Sequence, residues 1–438
     1  MWFLIEARCL PLQNKEMKRL SWLPILLILA QVLTACDQQS SGLELSRADY
    51  QDRLRAFWLS QSIANWTGLQ TEGRRTQIPY FTDDDWDNFG FILNQSPWWS
   101  ADDDTDIEYI YQHALETYET EILTPEQIRD QWLEHIQTRE ENHLWVSNES
   151  AFRLMEKGVL PPDTSDPANN PNWEQIDAQL TTEIFGLFAP GRPDVAIQLS
   201  DLPVKVTARG DAEMAAKFYI IMHALAPYAI ENISDTNGDG DPYDEQVFWL
   251  AEQARGQTPD SSYIAGMYDW VLNEFEGNPD KDDWEVTRDA FHYTYIEGGA
   301  DGYQYTNWYD SGSNFGLSMI SLMYGQGDLP RTVQIGSLAG MDSDNPTATW
   351  GGLLGFLYGY EGVQQAYDFY DSSDKYWIRR TRVGFANDLD TFDDLAARGV
   401  EIVDRVVINH MNGSIEDNTW IIPDAGASSA KLEYTPVR

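Results

Sequence analysis

Apolar residues recur at three- and four-residue steps along most of this chain. Ile107, Ile110, Tyr111, Ala114, Leu115 and Tyr118 form one such run, and similar runs cover 211–226, 262–275 and 390–407. That spacing lines up one face of a 3.6-residue helix, and a face of that kind has to be buried against another element. Strict alternation, the mark of a half-buried strand, is scarce until "RVVINH" and "TWIIP" near the C-terminus. The pattern predicts an all-α fold over residues 47–411, followed by a short irregular or β-like tail over 412–438. No long Ser/Gly/Pro-rich stretch divides the 438 residues, and 42% of them are hydrophobic, so a single compact multi-helix domain is expected.

From Met17 the chain reads "MKRLSWLPILLILAQVLTAC": two basic residues, an apolar run, then small residues before Cys36. This resembles a bacterial lipoprotein signal, with residues 1–35 an upstream extension plus signal peptide and Cys36 the lipidated first residue of the mature protein. Residues 36–46 would then be the lipidated cysteine and a polar tether. The alternative, a membrane-spanning helix, has fewer apolar residues than the roughly 20 that a span needs. An extracytoplasmic protein is expected, on the periplasmic side or the cell surface, touching the membrane only through its lipid anchor, as a monomer. The formal charge of -42 repels nucleic acid and anionic lipid alike. Cys9 and Cys36 are the only cysteines, so the mature chain has neither a disulfide nor a thiol nucleophile.

Two acid clusters stand at two predicted helix starts. In "ADDDTDIE", Asp102, Asp103 and Asp104 precede Thr105 and Glu108, which have capping-box spacing. In "GMDSDNPTATWGGLLGFLYG", Asp342 and Asp344 precede Asn345, a good N-cap, and Pro346, suited to a first helical position. The dipole at a helix start accounts for one acid in each cluster but not for all of them. Hard divalent cations take several carboxylate oxygens plus water, and helix packing that joins the two loops would supply a two-metal cleft. Gly351, Gly355 and Gly359 mark a stripe without side chains along the second helix, at a cost of about 1 kcal/mol each against Ala. Such a stripe implies close approach of another helix.

These two motifs together resemble those of the ADP-ribosylglycohydrolase family. The resemblance is carried by "DDDTDIEYIY" and "AGMDSDNPTATWGGLLGFLYG", with weaker echoes in "SQSIANWTGLQTEG", "TTEIFGLFAPGRPDVA" and "SLMYGQGDLPRTV". It implies an all-α fold around two divalent ions, Mg2+ or Mn2+, that grip the ribose hydroxyls of a small-molecule or ADP-ribosylated substrate. Carried over by position, Asp102, Asp103 and Asp104 furnish one side of the metal site and Asp342, Asp344 and Asn345 the other. Glu72, in "TEG", matches the acid after the family's first Gly-rich turn and is the candidate general base. The expected function is metal-dependent hydrolysis, through an activated water, of an N- or O-glycosidic bond to ADP-ribose or a related ribosyl compound. Asp102 stands where the family has Thr, and Asn345 where Thr or Cys is common. The family's Gly-Asn-Gly type loop is replaced at about Thr181, Thr182 and Glu183.

Other readings compete. A non-catalytic envelope protein of the same fold would bind a nucleotide or carbohydrate, and a structural surface protein would use calcium at the acid loops. "DTNGDGDPYDEQ" has the spacing of a calcium loop at Asp235, Asn237 and Asp239, but its twelfth position is Gln246, which offers no bidentate carboxylate. A solvated acidic turn explains the same residues.

Overall fold

The computed structural model describes residues 42–100, 103–136, 144–426 and 431–437, and the side chains of all of these except 103 and 104. Helices make up most of it, with five short strands among the described residues. None of the described helices is long and apolar enough to cross a membrane.

Two long helices form the axis of the domain: α1, Arg47–Gly68, and, far along the chain, the helix that begins at Asp344. Between them in sequence come α2, Asp103–Thr117; α3, Gly210–Asn232; α4, Ser311–Gly325; and α5, Leu329–Leu338. The helix Asp344–Ala366 is α6, and Phe392–His410 is α7. The packing of α1 on α6 follows from the glycine stripe. A Cβ on Gly351 would stand 2.9 Å from the Ser60 carbonyl oxygen, and one on Gly355 would stand 2.8 Å from that of Ala56, so only glycine allows the two backbones to approach this far. Gly359 plays a different part. With φ 71° and ψ 170° it breaks the helical run, and the amide of Tyr360 donates to the Asp52 carboxylate.

The strands tie the beginning of the body to its end. β1, Leu43–Ser46, pairs antiparallel with β5, Thr419–Ile422, which also pairs with β4, Ser414–Glu416. Leu43 and Leu45 point inward opposite Ile422 and Trp420, while Glu44 and Ser46 face out. Arg47 then donates from Nε to Asp404 on α7, which also accepts from the indole of Trp420 at 2.8 Å. Residues 43–46 therefore belong to the folded body and not to a tether reaching Ser46, and the tail beyond residue 412 supplies the strands that hold them. Four residues, "LELS", carry too little alternation to announce a strand, and only the distant pairing partner makes them one.

A second strand pair, β2 (Lys375–Trp377) with β3 (Leu389–Thr391), matters for the first acid cluster. Trp99 joins β2 by two backbone hydrogen bonds, its amide to Lys375 at 2.8 Å and its carbonyl from Trp377 at 2.7 Å. The chain is thus held just before the acid loop, and Tyr376 of the same strand donates to Asp106 in the first turn of α2.

Candidate active site

Glu72 reaches the site from the end of α1. Past Gly68 the chain turns sharply: the Thr71 hydroxyl contacts the Ser343 hydroxyl at 3.0 Å, and Ser343 donates to the Gly68 carbonyl at 3.1 Å. The next residues pair with the loop ahead of α6. The Gly73 amide donates to the Met341 carbonyl at 2.9 Å, and the Met341 amide donates to the Arg75 carbonyl at 3.1 Å. These bonds fix Glu72 beside the second acid cluster although some 270 residues separate them in sequence.

That cluster sits on a backbone of unusual shape. Gly340 and Met341 both have positive φ, 96° and 60°. For methionine this conformation costs about 1 kcal/mol or more, and complete burial of its side chain helps hold it there. The Asp342 amide is held by the Asn314 side chain at 3.0 Å, and Asn314 in turn donates to the carbonyls of Trp308 and Asp310 from the start of α4. Asp344 opens α6 and is buried, with Asn65 of α1 donating to its Oδ2 at 3.4 Å.

The outcome is a group of three carboxylates. Glu72, Asp342 and Asp344 each present an oxygen, and the three atoms lie within 4.8 Å of one another, two on partly exposed side chains and one on a buried one. Among the described residues this is the one group of three or more such side chains that could hold a metal ion. Glu72, expected as a base beside the metal ligands, stands inside the donor group itself. Asn345 is buried next in line in α6. Asp102 lies outside the described residues, as does Cys36. Asp103 and Asp104 lie in the first turn of α2, not in the loop ahead of it where the capping-box spacing put them.

A match of the ADP-ribosylglycohydrolase family model spans residues 46–398. The chain belongs to this family. A solved structure, "ADP-ribosylglycohydrolase-related protein complex", is similar at 14% identity over 81% of this chain and 98% of that one, with a TM-score of 0.43. No curated protein matches. Membership in the ADP-ribosylglycohydrolases makes the chain a candidate glycosidase, and the acidic triad a candidate cation site within it.

Two local expectations need correction in this ADP-ribosylglycohydrolase. Thr105 and Glu108 do not form a capping box, because α2 begins at Asp103 and both residues are fully buried inside it. Glu108 instead accepts from Gln61 Nε2 at 2.8 Å and from the Ile184 amide at 2.9 Å, so a buried partner outweighs the local cap. Likewise α6 begins at Asp344, with Ser343 ahead of it, so Asn345 is not the cap. Pro346 then falls third in the helix, where its missing N–H is still no loss. Asp235, Asn237 and Asp239 belong to an exposed turn, as the solvated-turn reading has it. Asp235 accepts from the amides of Gly238 and Gly240, and the Asn237 side-chain oxygen accepts from the Asp239 amide. Glu245 folds back to accept from Thr236 and Asn237. The acids therefore act as turn acceptors.

Behind the site, a buried network went unsignalled in the sequence. Gln61 Nε2 bridges Glu108 and Glu183, at 2.8 and 3.1 Å, and all three side chains are wholly buried. Burial, reinforced by the neighbouring Glu108, pushes the Glu183 carboxyl well above the ordinary carboxylate range. The folded chain thus keeps a proton that the unfolded chain releases once the pH passes the ordinary glutamate value. Stability contributed by this group is present below that value and is lost as pH rises toward the raised folded pKa. Glu183→Gln keeps the geometry without the proton. Its unfolding free energy should therefore increase relative to the parent's between pH 5 and pH 8, by at most about 1.4 kcal/mol per pH unit. Denaturant titrations at the two pH values measure this, and an identical difference at both would mean that the pair holds no extra proton.

Proposed function

We propose that the chain hydrolyses an N- or O-glycosidic bond to ADP-ribose or a related ribosyl compound, with two divalent ions, Mg2+ or Mn2+, as its cofactors. The observation that carries this reading is the convergence of Glu72, Asp342 and Asp344, from two ends of a family-matched domain, on one partly exposed point. The donor set fits such ions: three carboxylate oxygens from side chains held on rigid backbone, one of them buried, as hard cations prefer. Asn345 and the acids of residues 102–104 would complete the set. When bound, a cation there lowers the pKa of a water ligand and offsets the negative charge of a phosphorylated substrate.

The remaining work falls to the chain's own groups. Glu72 is partly exposed and can take the proton of the attacking water at a carboxylate oxygen. The surrounding carboxylates favour the positive charge that grows on the ribose ring as the bond to the anomeric carbon breaks. Asn65 and Asn314 orient Asp344 and the Asp342 backbone, so the acids need not reorganise during the reaction. The test is incubation of residues 37–438 with ADP-ribosyl-arginine and ADP-ribosyl-serine in magnesium, manganese or chelator. Release of free ADP-ribose that stops with chelator supports the reading. Binding of ADP-ribose without turnover of either compound would replace it with that of a binding protein.

We also propose that the protein acts outside the cytoplasm, held by a lipid on Cys36. The support is the order of basic, apolar and small residues ahead of that cysteine. Cys36→Ser should shift the protein from the membrane to the soluble fraction or block its processing. Unchanged fractionation with an unchanged N-terminus would remove the anchor.

A further inference from the structure

A chain with a formal charge of -42 repels any anion, so the placing of its few cations matters. Most of its arginines are engaged by carboxylates: Arg47 by Asp404, Arg255 by Asp260 and Asp269, Arg398 by Glu116 and Asp390. Most of the described arginines without a carboxylate are occupied otherwise. Arg209 donates to the Pro162 carbonyl, and Arg75 donates to that of Pro79 while lying over the Phe81 ring. Among the described arginines, Arg74 alone has a side chain with no hydrogen bond, ion pair or ring contact, and it is exposed.

Its position is not incidental to the site. Arg74 is two residues from Glu72, in the turn closed by its own amide on the Thr71 carbonyl at 3.1 Å. Both neighbours, Gly73 and Arg75, are hydrogen-bonded to Met341, the residue before Asp342. Gly73, at φ +63°, lies against the Trp308 ring. The guanidinium therefore extends into solvent from a backbone pinned between two members of the acidic triad.

We propose that Arg74 binds the pyrophosphate of a nucleoside-diphosphate-sugar substrate and so selects for it over an unphosphorylated riboside. This rests on the glycohydrolase reading above and adds the recognition that the reading lacks. A guanidinium matches phosphate oxygens in a planar, two-point geometry, and a pinned backbone reduces the ordering that binding requires. Beside an acidic triad, an exposed cation is the group to meet a substrate's anionic phosphates.

The experiment is calorimetry in magnesium with ADP-ribose and with adenosine, on the parent, Arg74→Ala, Arg74→Lys and, as a control for general charge, Arg153→Ala. Arg153 is a surface residue paired with Glu149 and Glu156. Arg74→Ala should weaken ADP-ribose binding about tenfold, and Arg74→Lys should restore part of the loss. Adenosine and magnesium affinities should change less than twofold, which shows that the fold and the triad are intact. Arg153→Ala should change nothing. ADP-ribose affinity within twofold of the parent in Arg74→Ala would overturn the assignment and leave the glycohydrolase reading standing. A parent protein that fails to bind ADP-ribose at all would overturn both.

Discussion

Asp344→Asn is expected to lower glycohydrolase turnover by about a thousandfold and to weaken magnesium and ADP-ribose binding together. The substitution keeps the shape of a side chain that is 6% exposed, and keeps an oxygen that Asn65 can reach, but removes the charge. Of the three carboxylates this one is buried, so solvent screens its charge least and its loss is felt most. Glu72→Gln should lower turnover by about 10² to 10⁴, the range for losing a general base. The structure adds a second effect, because the Glu72 oxygen lies within the same 4.8 Å group as those of Asp342 and Asp344. Magnesium affinity should therefore also fall in Glu72→Gln, though less than in Asp344→Asn, since the amide oxygen remains a weak donor at a partly exposed position. Calorimetry beside a release assay on the same variants separates the roles. Full magnesium affinity in Glu72→Gln with turnover lost would make Glu72 a base only, and full turnover in Asp344→Asn would remove the triad from the chemistry.

What could be read in the sequence divides along a physical line. Features set by local backbone chemistry were legible. The stripe at Gly351 and Gly355 predicts the close approach of a second helix, and the structure supplies α1 at that place. The acid clusters stand at helix starts because the helix dipole and the Asn-Pro pair favour starts there, within two or three residues of the observed Asp103 and Asp344. Features set by contacts across the chain were not legible. Glu108 has the spacing of a cap but the surroundings of a core, and nothing local reveals that Gln61 and Ile184 await it. Asn314, which holds the Asp342 amide, belongs to no motif. Its importance comes from its place on α4, at a crossing with the α6 loop. The strand at residues 43–46 depends on partners almost 380 residues away. Glu72 was found by its likeness to the family's first turn, whereas its position among the acids follows from two backbone hydrogen bonds to Met341.

Those bonds make the distance between α1 and the α6 loop a determinant of activity, and Gly68→Ala should show it. A Cβ on Gly68 would stand 2.5 Å from Asp344 Cα and 2.7 Å from the Ser343 carbonyl oxygen, both backbone atoms that no rotamer change can move aside. One of the two segments has to shift. Gly68 lies in the last turn of a helix of conventional geometry, so alanine is acceptable to the local backbone and by itself favours the helix by up to about 1 kcal/mol. The steric term opposes this, and overpacking of this kind costs about 1 to 3 kcal/mol. Stability should therefore fall modestly, and the protein should still fold. Activity should fall further, because the displaced atoms carry Asp344 and the Ser343 hydroxyl that holds the Gly68 carbonyl. A shift approaching 1 Å at a reacting group costs about a hundredfold in rate. The expected result is a folded variant with turnover down about a hundredfold and weakened magnesium binding, while its unfolding free energy falls by no more than about 3 kcal/mol. Gly351→Ala gives the contrast. Its Cβ would meet the Ser60 carbonyl farther along the same helix pair, so it should cost comparable stability with a smaller loss of turnover per unit of stability lost. If the two variants lose turnover in the same proportion to stability, the contact at Gly68 is general packing between α1 and α6, and the geometry of the acid loop is not what it protects.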